Sequence, residues 1–358
     1  MNTKLILTTA LCGMAFGASA QEVNLLSWGG AYGNSHLEAY AKPFEAETGT
    51  RVIISDADNP ATPIKAMVEA GNVTQDVASV EYADALRLCD EGLLEDIDAS
   101  ILRPAADGTS AEDDYIDGAI TECFVGTDVY SMVLTYNSNQ FPEDARPQTA
   151  ADFFDLEAFP GKRTMRKGAK FNLELALIAD GVPLDEVYDV LSTPEGVDRA
   201  FAKLDEIKSE VVWWEAGAQA PQLLADGEAS MGFAFNGRIF NAAHIDGQPF
   251  EIIWDAQIYE MEGWVIPKGA PNMEQALEFI AFSTAPENQA RAAEFISYGP
   301  PRRSAAALVG NLEGTDIAMG PNLPTYEANL ANALASNQEF WVDRDAELNE
   351  RFNAWLLN

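Results

Sequence analysis

From residue 23 onward, short β-rich apolar runs alternate with stretches of helical periodicity, and this alternation restricts the possible folds more than any other feature. Residues 23–26 form an apolar strand that ends in Ser27-Trp28-Gly29-Gly30. A helical pattern carrying Leu37, Tyr40 and Phe44 follows and stops at Gly49. Residues 51–55 and 76–80 read as further strands, with helices over 60–70 and 83–92. Such alternation predicts an α/β fold with parallel strands. The pattern changes at 129–136, a β-rich run followed by the polar, Pro-containing stretch 137–147. A second series then begins, with strands near Arg163, at 211–214 and at 231–235, and helices over 173–179, 196–208 and 221–226. Another change comes at 250–254, before a strand at 264–267 and helices over 272–283 and 345–357. Two α/β lobes with a ligand cleft between them are therefore expected, residues 21–132 and 256–300 in lobe 1 and residues 133–255 and 301–358 in lobe 2. The extended stretches 129–136 and 250–259 would be the hinge crossovers.

Residues 1–20 have the layout of a secretory signal peptide: Lys4, an apolar run over 5–16, then Ala18-Ser19-Ala20 ahead of an expected cleavage before Gln21. The apolar run is shorter than the roughly 20 residues that a spanning helix needs. Thr9-Ala10-Leu11 ahead of Cys12 lacks the small residue usual for lipidation. Export would leave two cysteines, Cys89 and Cys123, whose simplest fate in an oxidising compartment is one disulfide. A pair of buried free thiols is the alternative.

Lys and Arg number 22 against 57 Asp and Glu, a formal charge of −35. Such a surface repels nucleic acid and anionic lipid and draws cations toward a cleft. A high-salt habitat or a solubility adaptation is the better account of most of these carboxylates. No Gly-x-Ser-x-Gly elbow, phosphate-binding lysine loop or zinc-binding helix motif is present. His36 and His244 are the only histidines, which leaves no metal cluster and little material for a catalytic triad. Neither an enzyme nor a cofactor is expected.

Aromatic residues recur at the ends of elements: Trp28, Tyr32, Trp213, Trp214, Phe235, Tyr259, Trp264, Tyr298 and Trp341. Most aromatics are core. Rings at strand ends near acids nevertheless suit an amine, because ring faces attract ammonium groups and carboxylates pair with them.

Five segments in order carry a family resemblance: Ser27-Trp28-Gly29-Gly30-Ala31-Tyr32, Glu91-Gly92-Leu93-Leu94 with Asp96-Ile97-Asp98, Asp226-Gly227-Glu228 leading to Phe235-Asn236-Gly237, residues 266–272, and Ser297-Tyr298-Gly299-Pro300. Through them the chain resembles the bacterial spermidine/putrescine-type periplasmic solute-binding proteins over nearly its whole length after residue 20. The resemblance implies a type II periplasmic-binding fold and an ABC permease in the inner membrane as partner; the signal peptide gives the expected periplasmic location, and a monomer is expected. It places Trp28 and Tyr32 at an aromatic clamp, and Phe235 where the family often has tryptophan. Glu262 matches an acid that holds an amine. Glu81 reads either as a second anionic contact or as a helix-start acid facing the macrodipole. Trp214, Asn236, Arg238 and Arg303 complete the candidate ligand set.

The chain departs from the polyamine pattern where it has Arg166, Lys167 and Lys170, and again at Arg238, Arg302 and Arg303. These cations would repel a diamine. A zwitterion would place its carboxylate on a guanidinium fork and its amine on Glu262. The expected ligand is thus an amine or quaternary ammonium compound: putrescine or spermidine by family default, with an ω-amino acid such as 4-aminobutyrate as the best rival. A chemoreceptor ligand sensor is the alternative role. Ferric iron is a further competitor, against which the lack of adjacent tyrosines counts.

Overall fold

The computed structural model describes residues 21–357, so the expected signal peptide, residues 1–20, lies outside the described residues. The strands are β1 (Glu22–Ser27), β2 (Arg51–Asp56), β3 (Val77–Glu81), β4 (Val125–Asn137), β5 (Arg163–Arg166), β6 (Val211–Trp214), β7 (Met231–Phe235), β8 (Phe250–Val265) and β9 (Ala333–Ala335). They form one open sheet in the order β2-β1-β3-β8-β4-β7-β5-β6, with β9 added to β8. β1 runs parallel to β2 and β3, and β5 runs parallel to β6 and β7. Between these two parallel groups lies the antiparallel pair β4/β8. The expected parallel arrangement thus holds within each group, and the two crossover strands run against it.

β4 is buried over its whole length. Its run of Val, Tyr, Met, Leu and Thr suits a strand covered on both faces. β4 and β8 feed two separate cores. Val125 and Trp264 belong to one, packed with Val23, Tyr40, Phe44 and Phe279. Met132, Leu134, Ile253 and Ile258 belong to the other, with Phe153, Phe171, Phe233 and Trp341. This division is the two-lobed arrangement. The helix Gln338–Leu357 starts earlier than its sequence pattern suggests and seals the second core with Trp341, Leu348 and Phe352. Arg302 is buried against the first, where it pairs with Asp114 at 2.6 Å and donates to the carbonyls of Arg103 and Thr284.

Where the chain passes between the cores, the β4/β8 ladder breaks: Met132 faces Ile258, but Leu134 faces Ile253. The extra residues of β8 are absorbed around Ala256, whose φ of 58° is unusual for a residue with a Cβ. Gln257, fully buried, secures the bulge by donating to the carbonyls of Pro324 and Asn329.

Asn236 explains two of the recurring motifs. Its side chain accepts from the Ser131 amide and donates to the Ser297 carbonyl, tying β4 to the segment before Tyr298. Gly237 follows because a Cβ there would lie 2.5 Å from both Ile296 and Tyr298. His36 is a core residue beside Tyr32, Tyr40 and Trp264, and burial pulls its pKa down to about 3. No helix among the described residues is long and apolar enough to cross a membrane.

Cys89 and Cys123 are joined, tying the helix Tyr82–Asp90 to the residues before β4 across a sequence separation of 34. A closed loop of this length stabilises by about 3–4 kcal/mol on the chain-entropy account. Replacing both cysteines with alanine is expected to lower the urea-unfolding free energy by about that amount. An unchanged midpoint would contradict it.

Candidate functional site

β1 ends at Ser27, and Trp28 leads into Gly29 and Gly30, both with positive φ. Gly30 has a φ of 57°, which disfavours any side chain, and a Cβ there would also lie 2.6 Å from Arg238 Nη1. The bare turn lets the Arg238 guanidinium rest on it, donating to the Gly29 carbonyl at 3.1 Å and the Trp28 carbonyl at 3.2 Å. Arg238 comes from the first turn of the helix Asn236–His244, directly after β7. It therefore reaches from the second lobe to the first.

Three carboxylates lie abreast on the sheet. Glu262 of β8 pairs in register with Glu81 of β3 on one side and Asp128 of β4 on the other, which puts all three on one face. Each meets a different solution. Burial works to raise the Glu81 pKa, but Lys170 and Arg166 overcome it and hold the group at about 2. Arg166 lies 2.7 Å and Lys170 3.0 Å from its oxygens. Asp128 accepts from Tyr32 and Thr127, yet burial still pushes its pKa up to about 7. Glu262 accepts from Trp28 Nε1 at 2.6 Å and Ser79 Oγ at 2.9 Å. Burial, followed by the charges of Asp128 and Glu81, raises its pKa well above the usual range. Among the described residues no salt bridge reaches Glu262 or Arg238. Arg238 is buried with Nε unpartnered, and burial lowers its pKa.

Trp28, Tyr32, Glu81, Tyr130, Phe235, Arg238, Glu262 and Tyr298 line a small, partly open pocket. Phe235 and Tyr130 meet edge to face at 5.5 Å, and Tyr298 lies 5.5 Å from Tyr32. Arg166 sits over the rings of Trp28 and Phe235. The pocket offers a cation without an anion, a carboxyl without a cation, and aromatic walls. That combination suits a short molecule with an anionic group, a cationic group and methylenes between them.

Among the residues expected from sequence, Trp28, Tyr32, Glu81, Phe235, Arg238 and Glu262 come together here. Glu81 precedes the helix Tyr82–Asp90 but makes no side-chain cap, its carboxylate turning instead to Arg166 and Lys170. Trp214 stands behind the wall, its ring 5.5 Å from Phe235. Asn236 is a structural tie rather than a contact. Arg303 is outside the pocket, because the carbonyls of Asp113 and Tyr115 capture its guanidinium. Lys167 pairs with exposed Glu215. Sequence reasoning did not assign Tyr130, Asp128 or Glu260 to the site. Asp128, a lone acid in an otherwise apolar and hydroxyl-bearing run, was the available signal. Among the described residues no cluster of three or more His, Cys, Asp or Glu is arranged to hold a metal ion.

The family model described as bacterial extracellular solute-binding protein matches residues 39–325. A gamma-aminobutyric acid-binding protein of Pseudomonas aeruginosa is 45% identical over 350 residues, which is 97% of this chain and 95% of that protein. A solved GABA receptor superposes with a TM-score of 0.78 at 34% identity, covering 94% of this chain and 98% of the receptor. PBP MotA from A. tumefaciens B6, in complex with glucopine, superposes with a TM-score of 0.85 at 28% identity, covering 94% of this chain and 100% of MotA.

The Asp128 proton has a measurable consequence. The folded value is about 7 against an ordinary 3.8, so between those values the folded state binds more protons than the unfolded one. Stability contributed by this group therefore falls as pH rises from about 4 to about 7, and the penalty is complete above that. Asp128→Asn is expected to lessen the loss of stability between pH 4 and pH 8 by about 2–4 kcal/mol. Any fixed cost of a buried amide cancels in that difference. Buried Glu174, also raised to about 7, keeps the remaining slope from vanishing. Parallel pH profiles for the two proteins would contradict the assignment.

Proposed function

The chain belongs to the bacterial extracellular solute-binding protein family, and we propose that it captures a small ω-amino acid, foremost 4-aminobutyrate, and delivers it to an ABC permease. The observation that carries this reading is the presence, in one aromatic pocket, of Arg238 without an anion and Glu262 without a cation. A ligand ammonium against Glu262 supplies the counter-charge that the row of three acids lacks, and so favours its ionised form. The ligand carboxylate takes the guanidinium fork, and the methylenes lie against Trp28, Tyr130 and Phe235. A diamine satisfies only one of these ends. The GABA-binding relatives support the same chemistry.

Delivery follows from closure. Arg238, Arg166 and Lys170 come from the second lobe and bind acceptors on the first, so ligand in the pocket adds to contacts that hold the lobes together. The binding step makes and breaks no covalent bond, and no catalytic role is assigned to these residues. We read residues 1–20 as a cleaved signal peptide, the periplasm as the working compartment where the Cys89–Cys123 bond forms, and the working species as a monomer.

Calorimetry with 4-aminobutyrate and with putrescine tests the assignment. The wild-type protein is expected to bind 4-aminobutyrate more tightly. Arg238→Ala should weaken 4-aminobutyrate by roughly 30-fold or more, from the 2–5 kcal/mol typical of losing one partner of a buried charge pair, and should weaken putrescine much less. Glu262→Gln should weaken both amines. Tighter putrescine binding by the wild type, or unchanged 4-aminobutyrate binding by Arg238→Ala, would sink the reading.

A further inference from the structure

Lys170 is held in surroundings that resemble a ligand site more than a surface ion pair. Its ammonium lies 2.6 Å from Glu260 and 3.0 Å from Glu81, and both carboxylates are almost wholly withdrawn from solvent. Tyr130 donates to the same Glu260 oxygen that Lys170 holds, the Ala83 amide donates to the other, and the Phe171 ring stands 5.1 Å from Nζ. Two buried carboxylates and a ring face are the chemistry by which a free alkylammonium ion is recognised.

The local backbone is shaped to deliver the side chain there. Phe171 has a φ of 71°, a conformation that residues with a Cβ rarely adopt, and its side chain is fully buried. Asn172 folds the preceding loop back by donating to the carbonyls of Arg166 and Gly168. Strain of this kind persists only where the surroundings fix it. Glu81, one of the two acids, lines both the small aromatic pocket and a larger polar cavity. Lys170 and Arg166 line the larger cavity and both hold Glu81, the acid that the two spaces share.

We propose that Lys170 is a tethered ammonium that permanently fills an amine site built by Glu81 and Glu260. It latches the second lobe to the first, and it removes the counter-charge that the second amine of a diamine would need. Selectivity for a zwitterion is then set by exclusion at Lys170 as well as by attraction at Arg238. The consequence for selectivity rests on the ω-amino acid reading of the adjoining pocket, whereas the existence of the amine site does not.

The test is chemical rescue of Lys170→Ala, followed by thermal unfolding with ethylammonium chloride against sodium chloride at equal ionic strength. The variant is expected to unfold several degrees lower than wild type and to regain part of the loss with ethylammonium only. The wild type should show no such preference. The double variant Lys170→Ala/Glu260→Gln should lose the rescue. Calorimetry on Lys170→Ala should also show the ratio of putrescine to 4-aminobutyrate affinity rising at least about tenfold. If Lys170→Ala does not fold unaided, recovery of folded protein from denaturant in ethylammonium but not sodium is the equivalent readout. Equal behaviour in the two salts, in either format, overturns the proposal. Failure of wild type to bind 4-aminobutyrate would instead overturn the ligand assignment and leave the rescue result standing.

Discussion

Glu81, Glu262 and Asp128 lie side by side across three adjacent strands, buried on one face of the sheet. Like charges this close in a poorly solvated site do not all ionise without counter-charges. Much of the surrounding structure answers that constraint. Arg166 and Lys170 cross from the second lobe to neutralise Glu81, and burial beneath Tyr32 raises the Asp128 pKa to about 7. Asp128 and Glu262 are both left with neutral donors, and of the two it is Glu262, held by Trp28 and Ser79, that faces the pocket. In this row only Glu81 has cationic partners, and Glu262 is the pocket-facing position at which a ligand cation would be the counter-charge.

The same strands explain how the row reports to the whole molecule. β4 and β8 are long enough to serve both hydrophobic cores, and their ladder breaks between Met132 and Leu134, close to the passage from one core to the other. A bulge at Ala256, pinned by Gln257, is a natural place for a hinge to absorb backbone change. The cations that pair with Glu81 come from the second lobe, so this charge pairing also ties the two lobes together.

Much of this was legible in the sequence, for identifiable reasons. The alternation of strand and helix marked both parallel groups, and the β-rich stretch 129–136 falls within β4. The strand expected at 264–267 is instead the end of a continuous β8, because the irregularity around Ala256 hides a single 16-residue strand behind an apparent interruption. Site residues at strand ends, such as Trp28, Phe235 and Glu81, were visible as aromatics and acids next to turns. Tyr130 and Asp128 lie inside β4, where pattern alone reads as core. Arg303 was misplaced because its partners, the carbonyls of Asp113 and Tyr115, are far away in sequence and leave no local trace. Lys170 stood out as a cation in an unusual place, but its two acid partners are set by sheet register, which only the fold supplies.

A crystal structure of the protein grown with 4-aminobutyrate tests the central claim most directly. The account predicts one ligand among Trp28, Tyr130 and Phe235, its carboxylate hydrogen-bonded to Arg238 and its ammonium to Glu262, with Lys170 still between Glu81 and Glu260. A ligand bound outside this pocket, or one with its ammonium turned toward Arg238, would contradict it.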